Sequence, residues 1–437
     1  MRSFDPPTDS ALEALADRVQ EHTIGACRLL TLRTPVESVV TWRGSFKTNP
    51  DVGMDDDLVQ SLVVSLLDKG TKHRDRFALA ELLEDRGAQV EFASDGLYVD
   101  IAGRALTEDV SDVLALVAEQ LRDPLFDADE FQKARARIGA NLQRSLENTG
   151  AQATGALTRS IYPANHPNYI PPTVDRLRRL ESTHIDEIRA FHDRHFGANE
   201  FILVVVGDFD ETAIVSAVRQ HFEDWEPHDA VANFATSGRH DDPQRVIVPI
   251  PDKQNVDVRI GHALDFRRNE PDYIPAYLAN YVLGGNFSAR LMQIVRDELG
   301  LTYGIRSGLY GITSDYSGHW HISVTLSEEH IERGVEETMN VVRQFVEDGV
   351  TAEELEDKKT TIIGSYKVGL GTTSGLAATL LKNAERGFDV EYLDRFPDEV
   401  RSIRLDDAND VLRRHFHPGQ LHTALAGSVP ESYALRD

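Results

Sequence analysis

Two side chains stand out as a pair able to do chemistry: Arg296 and Tyr303, seven residues apart. A guanidinium and a phenol held close together can both donate hydrogen bonds to one carbonyl oxygen, as stabilisation of an oxyanion requires. The same residues also fit an ion-paired surface arginine and a core tyrosine. His192 and His195 have the spacing of metal ligands on a helix, with Glu187 one turn earlier. A helix C-terminus also favours histidine, so a solvated helix end accounts for them as well. His319 and His321 alternate along a strand and read as a polar pair on one face. His415 and His417 precede Pro418-Gly419 and read as a turn. No Ser–His–Asp or Cys–His set assembles from the remaining residues.

The elements that must position the first pair lie within Asp272–Tyr303. Ile274, Tyr277, Leu278, Tyr281 and Val282 recur at three- and four-residue steps, which predicts a helix with one apolar face. Gly284-Gly285 closes it. A second amphipathic turn buries Leu291, Ile294 and Val295, with Arg296 beside them. Gly300 stops that turn, and Leu301–Ile305 enters a strand. Arg296 is thus placed near a helix end and Tyr303 on the next strand.

The preceding chain reads as a helical pattern over 10–22, then strands at Cys27–Leu32 and Val36–Trp42 joined at Thr34-Pro35. A turn at Asn49–Gly53 leads into an apolar helix over Leu58–Leu67, and Arg76–Asp85 forms another. Val90–Phe92 and Leu97–Ile101 alternate as strands. Thr107 is placed to cap a helix running to Leu121, and Asp127–Glu130 to start one reaching about Leu146. Residues 147–180, with Pro163, Pro167, Pro171 and Pro172, read as looser. Thr183–Asp186 opens a helix, and Phe201–Val206 is a continuous apolar run, the signature of a strand covered on both faces.

The order then recurs. Asp57–Thr71 matches Asp272–Asn286, Leu82–Val90 matches Val295–Tyr303, and Leu97–Ile101 matches His319–Val324. A capping box at Thr351–Glu354 stands opposite Asp127–Glu130. Two copies of one unit of strands and helices follow, the helices packed largely on one side of each sheet. The expected domains are 1–228 and 246–437, with 229–245 as a polar, turn-rich linker.

Bulk properties narrow the function. The 437 residues, 41% hydrophobic and 27% charged, suit an ordinary soluble protein with more than one core. Cys27 is the single cysteine, which rules out intrachain disulfides and thiolate metal clusters. The 46 basic residues against 72 acidic ones give a net charge of −26, which opposes nucleic-acid or anionic-membrane partners. No apolar run is long enough to span a bilayer, and the start has no basic-then-apolar signal segment, so a cytoplasmic location is expected.

Several segments carry a family resemblance: Leu66–Thr71 (LLDKGT), His166-Pro167-Asn168-Tyr169, Phe201–Phe209 (FILVVVGDF), Pro251–Gln254, Asp272–Gly285 and Ser288–Tyr303. In order and spacing the chain resembles the insulinase or pitrilysin family of zinc peptidases, the inverzincins, which use an inverted H-x-x-E-H motif. The resemblance implies an α+β fold of the LuxS/MPP-like metallohydrolase kind, with two homologous domains, each a mixed or antiparallel sheet with helices mainly on one face. It places the zinc motif on Ser61–Ser65. Ser61 and Ser65 then hold the histidine positions and Val64 that of the general-base glutamate. Hydroxyls are poor zinc ligands, and valine cannot take a proton from water. The third ligand falls near Leu142 or Gln143, with Glu147 about a turn away.

Arg296 and Tyr303 match the arginine and tyrosine that the family supplies from its second half to contact substrate and stabilise the oxyanion. The resemblance therefore implies a zinc-free subunit that pairs with a zinc-bearing homologue, holds no cofactor itself and contributes Arg296 and Tyr303 to cleavage of a peptide. A non-catalytic scaffold of the same fold is the alternative. An independent hydrolase built on His192 and His195 is a third reading. The family also binds substrate as an added strand, here matched by Ala88–Tyr98, where the sequence departs from the usual pattern. Gly364–Gly375 reads as a helix-to-helix connection or flexible loop rather than a phosphate loop, since no strand precedes it.

Overall fold

The computed structural model describes residues 14–36, 38–52, 56–228 and 233–434. Leu12 of the first expected helix, Gly53 of the expected turn and residues 229–232 of the expected linker lie outside them. The first sheet contains β1 (Val19–Ile24), β2 (Cys27–Arg33), β3 (Val39–Lys47), β4 (Gln89–Ser94), β5 (Tyr98–Leu106) and β6 (Ile202–Gly207), ordered β1-β2-β6-β3-β5-β4. The second contains β7 (Arg245–Pro249), β8 (Asn255–Ala263), β9 (Thr302–Tyr310), β10 (His319–Ser327) and β11 (His422–Gly427), ordered β7-β11-β8-β10-β9. In each sheet the first and last strands of the shared set, β2 with β6 and β7 with β11, pair in parallel, and the other pairs are antiparallel. Five strands thus recur in the same order and sense. The duplication seen in the helix and turn pattern extends to sheet topology.

Each half packs most of its own helices on one face of its sheet. In the first half Leu29, Trp42, Phe46, Val99, Leu203 and Val205 meet Leu58, Leu62, Val113, Val117 and Ile188 from the helices. The opposite face is covered by the other half. The helix Thr373–Glu385 lays Leu376, Ala377, Leu380 and Leu381 on Leu30, Leu32, Val204 and Val206. In return, the helix Thr149–Ile161 places Ala156, Leu157 and Ile161 on Ala263 and Ala424. Every residue of β6 is buried because both its faces are covered, which explains its unbroken apolar sequence. Full burial of one leucine contributes roughly 1.5–3 kcal/mol, so each exchanged helix is a major part of the stability of the sheet it covers.

Polar contacts fasten the exchange. Thr149 Oγ1 donates to Asp257 Oδ2 at 2.6 Å, and Arg259 Nε donates to Thr154 Oγ1 at 3.1 Å. Lys47 Nζ, on β3, lies 2.9 Å from both Glu200 Oε2 and Asp315 Oδ1, the latter from the β9–β10 loop. The Lys47 side chain is only 10% exposed, so removing it leaves Asp315 half-buried without its cation. Lys47→Met is expected to destabilise the protein by about 2–3 kcal/mol, below the 3–5 kcal/mol of a fully buried pair because Asp315 and Glu200 retain solvent. A urea midpoint unchanged from the parent would show that this ion pair does not hold the halves together.

Four local expectations fail for identifiable reasons. Val19–Ile24 is a strand, not the end of a helix, because it pairs along its length with β2. β2 and β3 are not neighbours; β6 lies between them. Thr107 does not cap the following helix, which runs Val110–Arg122 after Asp109; its hydroxyl donates instead to the Asp208 carbonyl at 2.5 Å. Residues 147–180 contain two helices, Thr149–Ile161 and Thr173–Ser182. The glycine-rich segment is partly helical as well: Ala352–Gly369 continues through Gly364, and Thr373–Glu385 begins after a short connection. Among the described residues no helix is long and apolar enough to cross a membrane.

Candidate functional site

Arg296 and Tyr303 are placed by a helix, a wide turn and an edge strand. The helix Tyr273–Gly284 buries Ile274, Leu278, Val282 and Leu283 and approaches β9 closely. A Cβ on Gly284 would lie 2.4 Å from the Ser307 nitrogen, so only glycine fits there. Asn280 and Ser307 lock the two together: Asn280 Nδ2 donates to the Ser307 carbonyl at 3.2 Å, and Ser307 Oγ to Asn280 Oδ1 at 2.6 Å. Trp320 Nε1 donates to Ser307 Oγ at 2.7 Å from the neighbouring β10. The segment Met292–Glu298 is a π-helical turn, a widened form often found at functional sites. It buries Met292 and Val295 while leaving Arg296 outside, and Gly300 ends it with φ +64°.

The Arg296 side chain is 40% exposed, with Nη1 3.3 Å from Asp297 Oδ1 and its guanidinium 5.9 Å from the Phe287 ring centre. Tyr303 is 99% exposed, which removes the core reading of this tyrosine. Its phenol has no hydrogen-bond partner among the described residues. Both side chains line an open cavity of about 540 Å³, with Asn255, Thr302, Thr325, Glu329 and His330 around it. Thr302 Oγ1 donates to the Thr325 carbonyl at 2.7 Å and steadies the start of β9 beside Tyr303. This arrangement can bind a polar or anionic oxygen through two donors; Glu329 and His330 stand at its rim, but among the described residues no group of three or more ligating side chains could hold a metal ion.

Ser61, Val64 and Ser65 lie together at the end of the helix Asp56–Val64 and line a separate cavity of about 490 Å³, shared with Asp68, Lys69, Glu91, Ser94 and Arg137. The two cavities have no lining residue in common. Ser61 Oγ donates to the Asp57 carbonyl at 2.9 Å and Ser65 Oγ to the Leu62 carbonyl at 2.8 Å, so both hydroxyls are tied to their own helix. Val64 is 7% exposed and packs into the core. Across the pocket, the helix Ala128–Leu146 presents Arg137, a cation; Leu142 packs against the core. Glu147 turns away to pair with Lys253 Nζ at 2.9 Å. Asp68 is paired with Lys69 at 2.6 Å. This donor set does not fit zinc, which needs imidazole, thiolate or carboxylate ligands converging on one point. Among the described residues no group of three or more such side chains could hold a metal ion.

His192 and His195 are held by backbone carbonyls within the fold. His192 Nε2 is 2.7 Å from the Leu121 carbonyl, and His195 Nδ1 is 2.7 Å from the Thr48 carbonyl; both rings are buried, and burial lowers their pKa. Glu187 is paired with Arg179. The three do not form a site. His319 and His321 do share a face, but they join a longer buried chain. Asn168 Nδ2 donates to the Tyr162 hydroxyl at 3.2 Å, which is 2.9 Å from His319 Nδ1. His319 Nε2 is then 2.9 Å from His321 Nδ1, whose Nε2 is 3.1 Å from Ser323 Oγ. The spacing of the two histidines was readable; their link to the Tyr162–Asn168 segment of the first half was not.

The molecule is thus a duplicated pair of mixed sheets with exchanged helices, carrying one polar pocket at the end of its first helix and one exposed Arg/Tyr pair on an edge strand. Residues 61–168 match the insulinase family (peptidase family M16), and residues 184–362 match the peptidase M16 inactive domain. The chain belongs to the M16, or insulinase, peptidase family. A relative from Helicobacter pylori described as the non-peptidase homolog YmxG is 23% identical over 84% of this chain and 84% of its own length. One from Bacillus subtilis, described as the uncharacterized zinc protease YmxG, is 21% identical over 88% of this chain and 91% of its own. Among solved structures, a peptidase M16 inactive domain from Pseudomonas fluorescens superposes with a TM-score of 0.85 over 94% of this chain and 98% of that one, at 21% identity. The periplasmic protease PqqL from Escherichia coli gives 0.77, with 96% of this chain aligned to 46% of PqqL at 13% identity.

Proposed function

We propose that this chain is the zinc-free subunit of a two-subunit peptidase, pairing with a zinc-bearing homologue and lending it Arg296 and Tyr303. The observation that carries this reading is the state of Tyr303. A phenol that is 99% exposed on an edge strand, beside a half-exposed guanidinium and an open cavity, has no use inside its own subunit. The pocket at Ser61 and Ser65 holds the carboxylates of Asp68 and Glu91 but, among the described residues, no group of three or more metal-ligating side chains, which supports a metal held on another chain. There the partner's metal would activate water, while Arg296 and Tyr303 donate hydrogen bonds to the peptide carbonyl as it becomes an oxyanion. The substrate in this reading is a peptide.

Mixing the purified chain with a zinc-motif M16 homologue from the same genome tests the reading. The expected result is peptidase activity in the mixture that neither protein shows alone, lost on chelation of zinc. A stable complex whose turnover equals that of the zinc subunit alone would assign this chain a scaffolding role instead.

A further inference from the structure

One face of the helix Ala352–Gly369 grips the segment that leads into Arg296. Glu354 takes the Arg290 guanidinium in two bonds, Nε at 2.6 Å and Nη2 at 2.7 Å, while Arg290 Nη2 also donates to the Gly349 carbonyl at 2.8 Å. One turn along the same face, Lys358 donates to Asn286 Oδ1 at 3.2 Å, Ser288 Oγ at 2.7 Å and the Ser288 carbonyl at 3.2 Å. Lys358 is only 5% exposed and, among the described residues, has no carboxylate within ion-pair distance. Burying an ammonium on neutral acceptors is costly, and here all its bonds go to the short segment on either side of Phe287. Phe287, held between Asn286 and Ser288, is 71% exposed and faces the Arg296 guanidinium. Arg296 is thereby flanked by the Phe287 ring and by Asp297.

A single exposed aromatic is ordinary on a protein surface, but this one is flanked by residues anchored on a buried lysine and stands beside the Arg296 guanidinium. With Tyr303 it gives the Arg296 site two exposed aromatic surfaces. We propose that Phe287 is a specificity-determining residue that packs against an apolar side chain, preferably aromatic, of the bound peptide. Lys358 is the positioning residue that fixes Phe287. This rests on the peptide-binding role proposed for the Arg296 site. Phe287 supplies apolar contact that discriminates between side chains; Arg296 and Tyr303 supply hydrogen bonds that do not.

Two measurements test it. The isolated chain is titrated into a fluorescein-labelled Gly/Ser peptide with one central phenylalanine, and into its alanine counterpart. The phenylalanine peptide is expected to bind about tenfold tighter, and Phe287→Ala to abolish the difference. Equal binding of the two peptides by the parent chain overturns the proposal. In the mixture with the zinc subunit, Lys358→Met is expected to raise KM about fivefold to tenfold with kcat within about twofold, since it loosens ground-state positioning. Circular dichroism and complex formation are to stay at parent values; a fall in kcat with unchanged KM would refute the positioning role. If Arg296→Ala leaves turnover untouched while the peptide preference of the isolated chain persists, the subunit reading fails and the assignment of Phe287 stands.

Discussion

Arg296→Ala is expected to lower kcat of the mixed peptidase by about 10²–10³, with a much smaller change in KM, because a preorganised donor to a developing oxyanion acts mainly in the transition state. Tyr303→Phe removes one hydroxyl and leaves the ring, so it isolates the second donor; a loss of similar order is expected. The double variant should lose less than the product of the two losses if both donors serve one oxygen. Neither substitution should change folding, since the Tyr303 phenol is free in the subunit and Arg296 makes one 3.3 Å contact to the adjacent Asp297. Steady-state kinetics across a peptide series checks this. Parent-like kcat in both variants would remove the pair from the chemistry.

The second large effect is on stability and follows from four neutral imidazoles. Burial pushes His166 and His262 down to about 4 and His319 to about 3, and it holds His321 well below its ordinary value. His262 shows why the neutral form is required: Nδ1 donates to the Ala263 carbonyl at 2.7 Å while Nε2 accepts from the His417 amide at 3.1 Å. The unfolded chain protonates these rings near pH 6.5, whereas the folded chain does so only near their depressed values. Below pH 6.5 the unfolded state therefore binds more protons, and stability falls as pH falls. From pH 7.5 to 5.5 the loss is about 1.4 kcal/mol per imidazole.

Asp100 works in the opposite sense. Burial raises it to about 6, so its folded form takes up a proton first and offsets about 1 kcal/mol over the same interval. The net loss is on the order of 4–5 kcal/mol, a large share of the 5–15 kcal/mol typical of a folded protein. Urea unfolding at intervals between these pH values measures it, and His319→Gln should flatten the slope by about a third. A flat profile in the parent would mean that these rings are charged or solvated in the folded protein.

Much of this organisation was legible before any coordinates. Gly300 and the Thr351–Glu354 capping box mark local backbone needs, and each lies where the chain turns or a helix starts; Gly284-Gly285 also ends its helix, but in right-handed geometry, Gly284 being required by the close approach of Ser307. The all-apolar run at Phe201–Val206 announces a strand covered on both sides. What covers its second face was not legible, because the answer lies some 170 residues further on, in Thr373–Glu385. The helix Thr149–Ile161 was missed for a related reason. Its sequence, TGAQATGALTRSI, is rich in small and polar residues that suit close packing on a distant sheet, and it lacks the large apolar residues that mark a helix face at a glance. At the site, residue types pointed to Arg296 and Tyr303, but the exposure of Phe287 depends on Lys358, seventy residues away in sequence.

The exchanged helices also decide when this protein can fold during synthesis. The last strand of the first sheet is complete once Gly207 has been made. Its outer face nevertheless stays bare until the ribosome has added Thr373–Glu385. During that interval Leu30, Leu32, Val204 and Val206 form an apolar surface in a nascent chain with nothing of its own to cover it. Such surfaces recruit chaperones or pair with the wrong molecule. The halves thus resemble two consecutive domains in sequence but reach the native state as one late, joint event.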